Sequence, residues 1–389
     1  MPIFLVDIQL ETATIKPLVS VGWVLAADLR DSVILDAYEQ SRQRMLQTLN
    51  EQFVRFRWEM PFVNRRRFAP RGALKPLSLL ELGVQEKLQY KWDYALVIVP
   101  NELEPQRRTF TIGVPSSALE TAVLSSAFID NPDEISDRLA ALALYMLGHL
   151  WGLKHDESGP MAPPESMDIL HLQPFSPQQY HAIEKRLTEV ADARLEEQRG
   201  RWGVIGFYMR TLGADPRGIV TDIWGYAPWL LPFRMARFTA TAAVSVFLLL
   251  LGSEPWEIGV NFEPSALAVG FVAAVLSATI FIFYGQNLGH IARASTRSEQ
   301  LARTHIVLFL SLLIGVISLW LILFLISYIA ATIVPQQVPA SWIGRPIDFI
   351  GRGRFAAFLA TLGVAASALG GNLEDEDEFK TELFYDEEA

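Results

Sequence analysis

The 389-residue chain contains no cysteine. That excludes a disulfide framework, a thiolate nucleophile and any Cys-ligated zinc or iron–sulfur centre, so a metal would have to rest on His, Asp, Glu or Tyr. A Lys/Arg excess is missing as well. The net charge is −10, and without basic groups to release counterions from a phosphate backbone no nucleic-acid partner is expected. The one dense basic run, Arg65-Arg66-Arg67, reads as a solvated loop. Met1 to Leu10 carries neither a positive leader nor a small-residue cleavage site. Nothing therefore directs the first 235 residues across a membrane, and they are expected on the cytoplasmic side.

With 51% hydrophobic and 20% charged residues, the chain is too apolar for disorder and too charged to lie in a membrane throughout. Acidity is concentrated at the end, where nine acids between Glu374 and Ala389 face only Lys380. That tail is expected to stay disordered, either simply solvated or docking basic partners. The division of the chain falls near residue 235. Long apolar runs follow at about 238–251, 264–284, 306–334 and 355–371, which predicts a region of about four transmembrane helices and a multi-pass protein in the lipid bilayer. No Asp, Glu, Lys or Arg interrupts these runs, so they read as an anchor and not as an ion path. Gly363, Ser367 and Gly371 recur every four residues, a ridge on which another helix can pack closely. Trp224, Tyr226 and Trp229 before the first span suit the membrane interface. Loop charges give an in, out, in order, against which Arg345, Arg352 and Arg354 stand in conflict.

The expected domains are therefore 1–200 (soluble), 201–236 (membrane-proximal linker), 237–372 (transmembrane) and 373–389 (tail). Within the first, periodicity predicts a strand at 3–10, a helix at 31–49, a strand at 53–62, a helix at 77–90, and strands at 94–99, 109–114 and 121–128. This is an α+β arrangement around one core. Asn131-Pro132-Asp133-Glu134 starts a helix that runs to Leu150, and Ser176-Pro177 starts another that runs to about 198. In the first of these, Tyr145 and His149 lie one turn apart. Gly152 can take the left-handed conformation that ends the helix and swings His155 back beside His149.

These residues carry a resemblance. His149, Gly152 and His155, followed by Asp156, match the second half of the HExxHxxGxxH zinc motif of metzincin peptidases. Tyr145 stands where the first His ligand belongs, and Met146 replaces the general-base Glu. Met161 resembles the Met-turn residue of that superfamily, with Met167 less well spaced. The order of predicted elements is similar to a metzincin catalytic domain. Within it the arrangement around Asp93 to Val99 and Thr121 to Ser126 looks most like the archaemetzincin group, without that group's Cys-rich second zinc site. The resemblance implies a mixed sheet with an active-site helix, zinc as the cofactor, and an edge strand near 109–114 along which an extended peptide pairs.

The departures impair that chemistry. Two imidazoles do not complete a catalytic zinc site. The Tyr145 phenolate, Asp156, His171 or His181 could supply a third ligand. A thioether at 146 cannot act as the base, a role contributing about 10² to 10⁴ in rate. The expected function is a membrane-anchored, metzincin-like pseudopeptidase that binds a peptide or protein ligand at the former cleft. An active membrane-tethered zinc metallopeptidase and a membrane scaffold or transport accessory are the alternatives.

Overall fold

The computed structural model describes residues 16–29, 31–66, 72–105, 110–129, 132–157, 159–164, 170–197, 219–220, 223–224, 227–286, 288, 299–371, 377, 380–381 and 384–385. The chain opens with β1 (Leu18–Leu25), then α1 (Ser32–Gln52), β2 (Arg57–Glu59), β3 (Phe62–Asn64) and α2 (Pro76–Tyr90). β4 (Tyr94–Val99), β5 (Gly113–Ser116), β6 (Thr121–Ser125), α3 (Pro132–Leu150) and α4 (Pro177–Glu197) complete the amino-terminal part. The strands form one mixed sheet in the order β2-β1-β4-β6-β5, with β3 also on β1. All pairings are parallel except β5 on β6 at the edge.

Local chemistry sets these elements. Asp31 caps α1, its Oδ1 accepting the Val33 N–H at 2.9 Å. Pro76 opens α2, where its missing amide costs nothing, and Lys91 in the left-handed region closes it. β4 is the uninterrupted run YALVIV, buried at every residue, because the sheet is covered on both faces. α2 lies over one face with Val24, Val97 and Val99. α1 and α3 lie over the other with Val21, Trp23, Leu96 and Ile98.

The predicted strand at 3–10 lies outside the described residues; the first strand described is β1, eight residues later. The predicted strand at 53–62 is corrected to two short ones. Phe53 caps α1, and Met60-Pro61 separates β2 from β3, since proline has no amide for the ladder. The edge strand sits at Gly113–Ser116, later than expected, and all four of its residues are buried. Arg65 is not simply solvated: its guanidinium makes two bonds, 2.7 and 2.6 Å, to the carboxylate of buried Glu86.

Beyond residue 227 the described elements are helices: α5 (Ala236–Leu250), α6 (Ser253–Asn261), α7 (Pro264–Gly285), α8 (Glu299–Ile333), α9 (Gln337–Ile343) and α10 (Phe349–Gly371). Three stretches, Pro264–Gly285, His305–Ile333 and Phe349–Gly371, are long and apolar enough to cross a membrane. At 1.5 Å per residue the shortest is about 33 Å, against a hydrocarbon core of about 30 Å. α5 alone is too short for that. Together with Pro228–Arg234, from which it bends by 79°, it makes a candidate fourth.

α10 is the axis of the bundle. A Cβ on Gly363 would lie 2.7 Å from Val246 and 2.9 Å from Leu323, and one on Gly371 would lie 3.1 Å from Ile282, so the small-residue ridge is what admits α5, α7 and α8. Because α10 starts at Phe349, Arg352 and Arg354 fall inside its first turns, and Arg237 falls inside α5. The apolar runs expected as spans, 238–251 and 355–371, begin just after these arginines. Arg345 instead donates to the Asn261 side chain at 2.6 Å.

Of the acidic tail, residues 377, 380–381 and 384–385 are described: the Tyr385 N–H donates to the Thr381 carbonyl at 3.0 Å and Phe384 is fully buried. Asp377 pairs with Lys75 at 2.8 Å and Lys380 with Glu81 at 3.2 Å, so these described tail residues are seated on α2 and its start.

Candidate functional site

α3 ends in a Schellman turn. Gly152 has φ +84, a conformation that costs a side-chain-bearing residue about 1–2 kcal/mol. Its N–H donates to the His149 carbonyl at 2.8 Å, while the Leu153 N–H reaches back to Gly148 at 2.9 Å. The reversal returns the chain toward the helix, and the His155 ring centre comes to rest 5.0 Å from that of His149. The Tyr145 hydroxyl and His155 Nε2 share a hydrogen bond at 2.8 Å. Tyr145 and His149, one turn apart, are in edge contact at 4.6 Å.

Burial differs across this trio. His149 is 9% exposed, and its Nε2 is buried with no hydrogen-bond partner among the described residues. Burial, and secondarily the charge of the neighbouring His155, pushes His149 down to about 4. It is therefore a neutral imidazole at pH 7, the form that can donate a lone pair.

Beneath the helix the frame is packed closely. Met161 is fully buried, and a Cβ on Gly148 would meet its sulfur at 2.2 Å. The absence of a side chain at 148 is what lets Met161 lie under the turn that carries His149. The Asp156 N–H donates to the Met161 carbonyl at 3.1 Å, tying the two ends of this loop together. Ser117 Oγ donates to the His149 carbonyl at 3.2 Å. Met146 is fully buried as well. Its terminal methyl lies over Gly113 of β5, where an added Cβ would come within 2.2 Å.

The other ligand candidates lie elsewhere. The Asp156 carboxylate accepts from the Glu157 N–H at 2.8 Å and from Gln179 at 3.3 Å. His171 is exposed and lines a small cavity with Leu144 and Pro160, and His181 is exposed on α4. Among the described residues, no three His, Asp or Glu side chains come together. Met167 lies outside the described residues.

Does the trio suit a metal? Two imidazoles sharing a tetrahedral ion at about 2.0–2.1 Å would have ring centres about 5 Å apart. The observed 5.0 Å and the unpartnered Nε2 of His149 fit that requirement, with the Tyr145 oxygen as the adjacent third donor. The set is N₂O and lacks a carboxylate. No sequence motif points to Gly113, Gly148 or Ser117 as parts of this frame. The signal for Gly148 was its place in the turn above a candidate Met-turn, where only a residue without a side chain leaves room.

No protein-family model and no curated protein matches the chain. Several solved structures are similar to part of it. The archaemetzincin of Methanopyrus kandleri is 17% identical with a TM-score of 0.36, over 45% of this chain and 99% of that one. A zinc-dependent peptidase of Methanocorpusculum labreanum is 14% identical with a TM-score of 0.33, over 42% and 99%. Metalloproteinase-II of Bacteroides fragilis is 12% identical with a TM-score of 0.32, over 45% and 55%.

Proposed function

We propose that the chain is a membrane-anchored, archaemetzincin-like pseudopeptidase: a domain that keeps the helix, glycine turn and buried methionine of a zinc peptidase, has lost hydrolysis, and acts by binding a peptide or protein segment beside α3. One observation carries this reading. At the position of the general base stands Met146, fully buried against Gly113, and no carboxylate joins His149 and His155 among the described residues. Proton transfer by a positioned side chain contributes about 10² to 10⁴ in rate, and a thioether at 146 cannot perform it.

A metal would be held by His149, His155 and the Tyr145 phenol, and zinc suits such donors. Bound there, zinc supplies Lewis acidity. This chain's residues would orient it and exclude water around His149, whereas the Tyr145 hydroxyl, bonded to His155, holds a proton at the place where a third imidazole would donate a lone pair. Because β5 is buried along its length, an incoming segment would engage the surface around the α3 turn, where His155 is half-buried and Lys154 exposed.

The test uses the full chain in detergent, assayed against fluorogenic peptides with and without added zinc. The expected result is no turnover by the parent and zinc-dependent turnover by the Tyr145→His/Met146→Glu double variant. Zinc-dependent cleavage by the parent, lost in His149→Gln, would establish the active peptidase instead.

A further inference from the structure

The tail and the bundle together constrain where the ends of the chain lie. The seated residues Asp377, Lys380, Thr381 and Phe384 follow helical spacing and so share one face. Thr381 Oγ1 donates to the Asp377 carbonyl at 2.7 Å, as expected one turn on. On that face, Asp377 and Lys380 make reciprocal pairs with Lys75 and Glu81 of the α2 region. Phe384 and Tyr385 belong to one continuous apolar cluster with Leu74, Leu77 and Leu80 on one side and Phe238, Ile282 and Leu288 on the other.

The helices of the bundle alternate in direction. At the end of α10, a Cβ on Gly370 would meet Thr241 and the Arg237 carbonyl at the start of α5. A Cβ on Gly371 would meet Phe238 and Ile282, the latter at the end of α7, and Gln286 donates to the Gly371 carbonyl at 2.7 Å. At the other end, Phe355 near the start of α10 stacks at 3.8 Å on Trp256, which follows α5. The start of α5, the end of α7 and the end of α10 therefore share one face, from which the tail reaches α2.

We propose that Asp377, Lys380, Thr381, Phe384 and Tyr385 form a strap that fastens the amino-terminal domain to the bundle, placing it on the same side of the bilayer as the tail and making α5 with its bent leader a fourth crossing. The inference rests on the membrane reading given above. Only residues 372–376 separate the end of α10 from the first seated residue. Gly371 and Asp377 are six Cα steps apart, which span at most about 22 Å, so the seated Asp377, paired with Lys75, stays within that reach of Gly371. An odd number of crossings would put the tail on the far side from Lys75.

The absence of cysteine makes the test clean. The full chain is placed in sealed membrane vesicles carrying Lys75→Cys with Asp377→Cys, and is treated with a short bismaleimide. Arg44→Cys with Asp137→Cys, an exposed pair bridging α1 and α3, shows that the reagent works, and Lys75→Cys with Glu254→Cys serves as the distant pair. The expected result is a link between 75 and 377 as ready as that between 44 and 137, none between 75 and 254, and loss of the first in Phe384→Asp with the 44–137 link intact. An impermeant maleimide should reach 75 and 377 from one side and 254 from the other. Failure of the 75–377 link while 44–137 forms, or labelling of 377 from the side opposite to 75, overturns the strap. Retention in the membrane pellet after alkaline extraction reports separately on the membrane reading.

Discussion

Acid should weaken this fold through His149, and a single substitution should remove that weakness. In the folded chain the imidazole is pushed down to about 4 from an ordinary 6.5, chiefly by burial. Above pH 6.5 the ring is neutral in both states and the shift has no effect. Between 6.5 and 4 the unfolded chain takes up a proton that the folded chain refuses, so stability falls as pH falls, by about 3 kcal/mol once pH reaches 4. The assay is urea unfolding of the full chain in detergent with a chelator present, followed by tryptophan fluorescence at pH 7 and pH 4.5. With a slope of about 1–3 kcal/mol/M, the parent's midpoint should drop by roughly 1–2 M from this group alone. His149→Gln fills similar space with a side chain that does not titrate, so the difference between parent and variant isolates the contribution from that of the carboxylates. Equal losses in the two proteins would refute the buried, neutral imidazole.

Three glycines give further tests. Gly152→Ala, at φ +84, should cost about 1–2 kcal/mol, read as a lower urea midpoint; an unchanged midpoint would show that the turn is not held. Gly148→Ala would bring a Cβ to 2.2 Å from the Met161 sulfur and should cost about 1–3 kcal/mol through overpacking. Met161→Ala alone should cost about 2–5 kcal/mol, and the double variant should lose less than the sum of the two, whereas strict additivity would mean they do not touch. In the bundle, Gly363→Leu would collide with Val246 and Leu323. It should lower the thermal stability of the detergent-solubilised chain by a similar amount, with little change if α10 were peripheral.

How much was legible depended on whether a signal was local. β4 and α2 were plain from an apolar run and a proline start, and Gly152 announced the turn that brings His155 to His149. LVSVGWVL of β1 is strand-like but is not among the predicted strands, and Gly22 stands in its middle. The glycine is there because the Trp92 ring occupies the space, 1.8 Å from where a Cβ would stand, a partner seventy residues away that spacing does not reveal. Pro61 was the visible sign that 53–62 could not be one strand. In the tail the acids argue for solvation, while Phe384 and Tyr385, an adjacent aromatic pair, are buried. Near the histidines, the identities at 145 and 146 were readable, but the hydroxyl bond to His155 depends on side-chain direction.

The continuous apolar cluster running from α2 through Phe384 to Ile282 bears on how the molecule comes apart. Two bodies joined by a floppy tether would melt in separate steps, each at its own temperature. Here heat that loosens the helices also strips cover from the sheet's α2 layer, so calorimetry should record one merged transition, and cutting the chain between residues 371 and 377 should split it into two.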